Sequence, residues 1–376
     1  MNSYNQFFGK NIRLNDLPSY FPRNPCGNEE IAIFINGDFR INHLPSFVER
    51  INACAGIILV DGGANSFCKL MQICHSKKIE LTSRPLAIIG DLDSATSESL
   101  EQIQSMYKTE IIRLDRYKDF TDLEAALKLV KLNSIARATI FNALGGRVDQ
   151  TLGNILNLFR EPYQGKVSIF CDDNELLFVV GHGKSWLLDK HKGMYVTVIP
   201  LYGNGEIIFD PPQKKIKPSS YFLQEEKVHL RSERDGVLCL VHNATIDDLI
   251  LPQHGEYPYE FNMPGKILQD FQVILHCVHH PMLFSIKTRI EKIFAINPKS
   301  ETVSFEVEVG QTISLIPLGG PATGINMQGL EWALTDGKMD IDFIGISNIA
   351  TSNTVLISVE TGTLLCVINI PPAVSL

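Results

Sequence analysis

The chain has 376 residues, a formal net charge of −8 and a hydrophobic content of 44%. That is length for two or three domains and ample material for packed cores. It has no Lys/Arg-rich run, which argues against a dedicated nucleic-acid surface, and no uninterrupted apolar stretch of about 18 residues, which argues against a membrane span.

The first residues, "MNSYNQFFGKNIRLNDLPSYFPRN", lack a charged segment followed by an apolar one and do not read as a signal peptide. Residues 1–30 read as an N-terminal extension. Eight cysteines include no CxxC pair, and several lie in apolar runs. The expectation is reduced, mostly buried thiols in a cytoplasmic protein.

From residue 31 to about 182 short apolar strands alternate with helices. "IAIFI" (31–35), "GIILVDGG" (56–63), "LAIIGD" (86–91), "EIIRL" (110–114) and "ATIFNAL" (138–144) read as strands with their turns. Between them, 44–55, 64–74, 95–107, 121–132 and 150–160 carry helical patterning. Thr121 with Glu124 three positions on has capping-box spacing. "KVSIFCD" and "ELLFVVG" close the series. This alternation predicts a mostly parallel α/β sheet with helices on both faces.

Residues 183–376 change grammar to strand-rich, helix-poor sequence, which predicts a β-sandwich. One echo links "KGMYVTVIPLYGNG" (192–205) to "VGQTISLIPLGGPATG" (309–324), each a strand ending in Ile-Pro-Leu. A partial duplication is one explanation and chance similarity of hairpins the other.

Ligands of open α/β sheets bind outside the carboxyl ends of the strands, and acids crowd those ends here. Asp61 follows "IILV", Asp91 and Asp93 follow "LAIIG", and Asp115 follows "IIRL". "KDFTD" adds Lys118, Asp119 and Asp122 before a helix. Crowded carboxylates need a positive partner, and oxygen-only donors favour Mg²⁺ over Zn²⁺. Gly145 and Gly146 would let a polyphosphate approach the backbone, and Arg147 offers a forked donor. Helix capping is the competing explanation for any one of Asp93, Ser94, Thr121 or Asp149. It does not explain four such junctions, two with doubled acids. No P-loop and no kinase Gly-rich loop is present.

The ordered series "NGD" (36–38), "DGGAN" (61–65), "GDLDS" (90–94), "KDFTDLEAAL" (118–127), "GGRVDQTLGNI" (145–155) and "DDNELLFV" (172–179) resembles the thiamine pyrophosphokinase family. The resemblance resumes at "ISLIPLGGPATGINMQGLEWAL" (313–334), "GISN" (345–348) and "GTLLCVI" (362–368). It implies transfer of a pyrophosphoryl group from ATP to the hydroxyl of thiamine, with AMP as co-product. It also implies an α/β domain followed by a β-sandwich, and a homodimer with active sites at the subunit interface. By resemblance Asp91, Asp93 and Asp122 would hold Mg²⁺, and Lys118 and Thr121 would touch nucleotide phosphates. Together the two readings assign Asp61, Lys118, Asp119, Thr121, Gly145 and Gly146 to ATP. They assign Asp91, Asp93, Asp122 and Arg147 to catalysis, and Trp332, Ser347 and Asn348 to thiamine. Without the resemblance Trp332 reads as a core aromatic. A pyrophosphokinase for another alcohol and a catalytically idle binding protein are the alternatives.

Two features depart from the family pattern. Gln150 stands where many bacterial relatives have His. About 110 additional residues, near 195–308, separate the two matching stretches. This insert holds "DPPQKKIKP" (210–218), an exposed turn with local positive charge, and "HCVHHP" (276–281). Alternation puts His276 and His280 on one strand face and Cys277 and His279 on the other, which does not gather a metal site. The insert is expected to add β-structure to the sandwich, with a role in assembly or architecture rather than catalysis.

Overall fold

The computed structural model describes residues 30–37, 44–116, 118, 120–133, 135–144, 147–160, 163–170, 176–199, 201, 206–211, 213–216, 220–233, 236–242, 285–287 and 291–369. The chain divides into two compact units. The first runs to Leu144 and includes Pro162–Phe178 and Leu240–His242; the second comprises Gly145–Glu161, Val179–Cys239 and Asn243–Leu376.

The first unit follows a strand–helix alternation: β1 (Glu30–Phe34), α1 (Leu44–Asn52), β2 (Gly56–Val60), α2 (Gly63–Lys77), β3 (Pro85–Gly90), α3 (Ser97–Tyr107), β4 (Glu110–Arg113), α4 (Asp122–Leu132) and β5 (Arg137–Phe141). Helix α5 (Val148–Phe159) then leads to β6 (Val167–Phe170) and β7 (Leu176–Val180). Strands β6-β5-β1-β2-β3-β4 lie side by side in that order, every pair parallel, and β7 runs antiparallel along β6. The order reverses between β1 and β5, the switch point where open α/β sheets bind ligands.

Every residue of β2 is buried, as expected of a parallel strand covered on both faces. Phe34, Phe47, Phe67, Phe141 and Phe170 join in one core cluster, with Phe34 and Phe141 stacked at 5.1 Å. These rings fix α1 and α2 against the sheet and so fix where each strand ends.

The second unit holds β8 (Ser185–Asp189), β9 (Tyr195–Ile199), β10 (Ile207–Asp210), β11 (Lys214–Ile216), β12 (Ser220–Phe222), β13 (Lys227–Ser232) and the first half of β14 (Val237–His242). It continues with β15 (Ser285–Lys287), β16 (Glu291–Ile296), β17 (Val303–Glu306), β18 (Thr312–Gln328), β19 (Gly337–Met339), β20 (Gly345–Ile349), β21 (Thr354–Ser358) and β22 (Thr361–Asn369). Strands β15-β16-β22-β18-β21-β17 form one antiparallel sheet, with β19 and β20 also paired to β18. Its core gathers Ile313, Leu315, Ile325, Val355, Ile357 and Leu364.

The fold class is as the sequence predicts, but three details differ. The chain does not divide at 182/183, because α5 belongs to the β-rich unit. Its Gly153 faces Ile346 so closely that an added Cβ would lie 2.3 Å from the Ile346 side chain. At its far end Arg160 donates to the Ile341 carbonyl at 3.0 Å.

The insert is not one addition to the sandwich. Among the described residues only β15, β16 and β17 of the insert join the eight-stranded sheet, whereas β11-β10-β13-β8 form a separate four-stranded sheet and β12 pairs with β9. The exposed turn expected near 210–218 is the β10–β11 hairpin, and its Lys215 is paired with Glu206 and Glu233 at 3.2 and 3.3 Å. The "HCVHHP" segment lies outside the described residues.

The echo is a shared turn, not a shared place in a sheet. Met194 donates to the His191 carbonyl and Gln311 to the Glu308 carbonyl, with Gly193 and Gly310 each at φ 89° in the third position. That is the signature of a type II turn, which needs a residue free of a Cβ there. One turn opens β9 and the other opens β18, which lie in different sheets. Cys54, Cys68, Cys74, Cys239 and Cys366 are free and buried, as expected; Cys26, Cys171 and Cys277 lie outside the described residues.

Candidate active site

In the first unit Asp61, Asp91 and Asp93 each bring a carboxylate oxygen within 4.8 Å of the other two. Asp61 sits one residue beyond β2 and Asp91 one residue beyond β3, and these are neighbouring parallel strands. Gly90 makes the approach possible. Its φ is +152°, and a Cβ there would lie 3.0 Å from the Asp61 Cβ. Asp61 itself has φ 47°.

Ser94 fastens the group. Its hydroxyl donates to Asp61 Oδ2 and accepts from the Gly62 amide at 3.0 Å and from Asn36 Nδ2 at 3.1 Å. The Ser94 carbonyl accepts from Asn65 Nδ2 at 2.8 Å. Asp91 Oδ1 accepts the Asp93 amide at 3.2 Å, so the local turn also aims the carboxylates.

The charge is only partly balanced. The Lys118 ammonium lies 3.3 Å from Asp91 Oδ2 and 3.0 Å from Asp122 Oδ1. The second contact is an ion pair off the hydrogen-bond line, and buried Asp122 Oδ1 has no hydrogen-bond partner among the described residues. Burial pushes the Asp122 carboxyl up to about 6 against the pull of Lys118, and the charges of Asp91 and Asp61 add to the rise. Burial, then Asp91 and Asp61, also hold Asp93 above its usual range, opposed by Arg116 and Lys118. Three converging carboxylates with only oxygen donors suit a hard divalent cation.

Asp61 stands in the metal-competent trio and Asp122 beside it, tied to Lys118. Thr121 is the N-cap of α4, its hydroxyl accepting the Glu124 amide at 3.2 Å, so capping accounts for it. Asp119, Gly145 and Gly146 lie outside the described residues.

The raised Asp122 gives a pH test. The folded protein holds a proton on Asp122 up to about pH 6, whereas the unfolded chain releases it near 3.8. Stability therefore falls as pH rises through that window. In chelator-treated protein the thermal midpoint should decline from about pH 4 to about pH 6, and Asp122→Asn should flatten the decline. An equal slope in both proteins would remove Asp122 as its cause.

The second unit carries a separate polar cluster around Asp149, which is 0% exposed. Arg147 grips it with two parallel bonds, Nε to Oδ1 at 3.0 Å and Nη2 to Oδ2 at 2.5 Å. Ser314 Oγ donates to Oδ2 at 2.6 Å, Asn369 Nδ2 at 3.4 Å, and the Gln150 amide to Oδ1 at 2.8 Å. Arg147 Nη2 also reaches Ser347 Oγ at 3.0 Å, and Gln150 Nε2 reaches it at 3.4 Å. The Ser347 amide is held by Ser314 Oγ at 2.9 Å, with Ser347 at φ 62°. A non-glycine residue in that region costs energy and is held by its surroundings. Ser347 Oγ thus accepts from two donors and keeps its own proton for a ligand.

Trp332 is 52% exposed, so it is not a core aromatic. Its backbone is pinned on both sides by Asn348, whose Oδ1 accepts the Trp332 amide at 3.1 Å and whose Nδ2 donates to the Trp332 carbonyl at 2.9 Å. Asn348 is 5% exposed and committed to these bonds. It therefore fixes the backbone that carries the exposed indole. Asp149 and Ser314 were not singled out as site residues from the sequence. An acid inside the apolar helix "VDQTLGNIL" is the signal that marks Asp149; Ser314 has no local signal.

Comparison with known proteins finds two matching stretches, the first of which runs through α5. The family model "Thiamin pyrophosphokinase, catalytic domain" matches residues 47–171, and "Thiamin pyrophosphokinase, vitamin B1 binding domain" matches 298–364. Thiamine pyrophosphokinase 1 of Oryza sativa subsp. japonica is 30% identical over 121 residues, 30% of this chain and 44% of the relative. Thiamine pyrophosphokinase 2 of Arabidopsis thaliana is 27% identical over 159 residues, 39% of this chain and 57% of the relative. The chain thus spans about half the length of these curated relatives. The solved thiamin pyrophosphokinases of Candida albicans and yeast share 18% and 16% identity with it. They cover 60% and 58% of this chain and 97% and 87% of their own, at TM-scores of 0.42 and 0.44. Two family models matched in sequence order, one on each side of residues 172–297, place the chain in the thiamin pyrophosphokinase family.

Proposed function

We propose that the chain is a Mg²⁺-dependent thiamine pyrophosphokinase. The thiamine hydroxyl oxygen attacks the β-phosphorus of ATP, the bond from that phosphorus to the α–β bridging oxygen breaks, and AMP leaves. The hydroxyl proton passes to solvent, and the product is thiamine diphosphate. The observation that carries this reading is the Asp61–Asp91–Asp93 group, set at the ends of adjacent parallel strands in a chain that both family models match.

Asp61, Asp91 and Asp93 would hold Mg²⁺, which supplies charge neutralisation for phosphate oxygens. Lys118 pairs with both Asp91 and Asp122 and so orients the two carboxylates. Arg147 uses Nε and Nη2 on Asp149 and Ser347, which leaves Nη1 as a donor for an anionic oxygen. Phosphoryl-type transfer needs positioning and charge stabilisation more than covalent help, and these groups provide both. The exposed Trp332 ring suits a flat pyrimidine and a cationic thiazolium. The homodimer implied by the resemblance and the cytoplasmic setting expected from the cysteines belong to the same proposal. Among the described residues no helix is long and apolar enough to cross a membrane.

Product analysis with ATP, Mg²⁺ and thiamine tests the reading. Thiamine diphosphate with stoichiometric AMP is expected. ADP would mean ordinary kinase chemistry, AMP formed only with another alcohol would change the acceptor, and saturable thiamine binding without turnover would leave a binding protein.

Trp332→Ala should weaken thiamine binding by about 1–3 kcal/mol, the scale of an aromatic and cation–π contact. ATP binding and thermal stability should change little, because the ring is already exposed. A broad fall in stability without a selective loss of thiamine would assign Trp332 to structure instead.

A further inference from the structure

Helix α5 is held at its first turn by two groups that face each other on neighbouring strands. Glu291 of β16 and Asn369 of β22 are register partners. Glu291 Oε1 accepts the Val148 amide at 2.8 Å, and Asn369 Nδ2 donates to Asp149 Oδ2 at 3.4 Å. The Asn369 carbonyl is in turn held by Gln311 Nε2 at 2.7 Å.

This arrangement is unusual for a helix start. The first amides of a helix lack intrahelical partners, and a local Ser, Thr, Asp or Asn at the N-cap normally accepts one. Here the N-cap is Arg147, whose side chain makes no capping bond. Its guanidinium is committed to Asp149 and Ser347. The missing acceptor comes from a residue 143 positions away. Glu291 is 1% exposed, and a carboxylate that deeply buried is costly unless it makes strong bonds. At a helix N-terminus it gains from both the amide and the helix dipole.

Position 291 lies between the two family matches, in the segment 172–297 that neither model covers. It also lies within the insert expected to be remote from the chemistry. We propose that Glu291 is a positioning residue: by clamping the Val148 amide it sets the backbone between Arg147 and Asp149, and with it the guanidinium on Ser347. Glu291 does not touch substrate; it acts through Arg147. The proposal rests on the reading of Arg147 as a donor in pyrophosphoryl transfer.

The test compares Glu291→Gln, which keeps the acceptor oxygen, with Glu291→Ala, which removes it. Glu291→Ala should lower kcat on the order of 10- to 100-fold, the scale of a misplaced catalytic group, with the KM for ATP nearly unchanged. Glu291→Gln should restore most of kcat. In an Arg147→Ala background, Glu291→Ala should lower kcat less than about twofold further, because the group it positions is gone. Amide exchange at Val148 should accelerate in the Ala variant and not in the Gln variant, a readout that does not depend on turnover. If wild-type protein makes no thiamine diphosphate while exchange behaves as stated, the functional reading fails and the clamp stands. Should Glu291→Ala not fold, Asn369→Ala loosens the same turn and should lower kcat in the same way, by less. A Glu291→Ala protein that loses only thermal stability, or that lowers kcat equally with and without Arg147, would overturn the inference.

Discussion

Asp91→Asn should lower turnover by roughly 10²–10³-fold, the scale on which charge-stabilising groups contribute to such transfers, while the fold survives. Asp91 shares a space under 4.8 Å across with Asp61 and Asp93, so each carboxylate raises the cost of the others. Only a cation makes that crowding favourable. Removing one charge should relieve repulsion in the metal-free protein and, on the proposed function, weaken the binding of Mg²⁺. The buried Lys118 keeps Asp122 as partner at 3.0 Å, so no lone ammonium is left inside. The thermal midpoint without Mg²⁺ should therefore hold steady, and the Mg²⁺ concentration for half-maximal rate should rise. Asp93→Asn should behave alike. A variant at 91 or 93 with near-normal rate at low Mg²⁺ would remove that residue from the metal site.

The α/β half was legible because its signals are local. "GIILV" is buried at every position and "ATSESLEQIQSMY" holds a helix capped by Thr96. The acidic group was legible for the same reason: strand ends are visible in sequence, and parallel neighbours align their ends. That Asp61, rather than Asp122, lies within 4.8 Å of Asp91 and Asp93 depends on which strands are neighbours, although the Lys118–Asp122 spacing of four was in view. The placement of α5 was not legible. Its apolar stripe looks like that of any crossover helix, and what ties it to the β-rich unit is Asp149 on Ser314 and Glu291 on Val148. Those pairs are 165 and 143 positions apart and leave no local pattern. Residue type alone makes Trp332 a core aromatic, because composition cannot see that Asn348 holds its backbone where the ring is exposed. The insert was read as one body because both of its parts are strand-rich, and strand sequence does not name its sheet.

Asp149→Ala should be the most damaging single change in the second unit. Asp149 is 0% exposed and its two oxygens accept from Arg147, Ser314, Asn369 and the Gln150 amide. Truncation leaves the partly exposed Arg147 without its charge partner and buried Ser314 without its acceptor, and a buried polar group left unsatisfied costs about 1–3 kcal/mol. Asp149→Asn keeps the shape and one acceptor oxygen, so it should cost less stability. Its amide must still present an N–H toward donors already in place, so Arg147 should lose its two parallel bonds and shift off Ser347. For Asp149→Asn the prediction is thus a folded protein whose kcat falls by roughly 10²-fold while ATP affinity holds, since the acidic group of the first unit is intact. Arg147→Lys gives an independent check, because an ammonium cannot make the paired bonds and should reproduce the kcat loss with little change in the thermal midpoint. If Asp149→Asn keeps full kcat at normal stability, Asp149 is only a structural anchor and Arg147 finds its place without it.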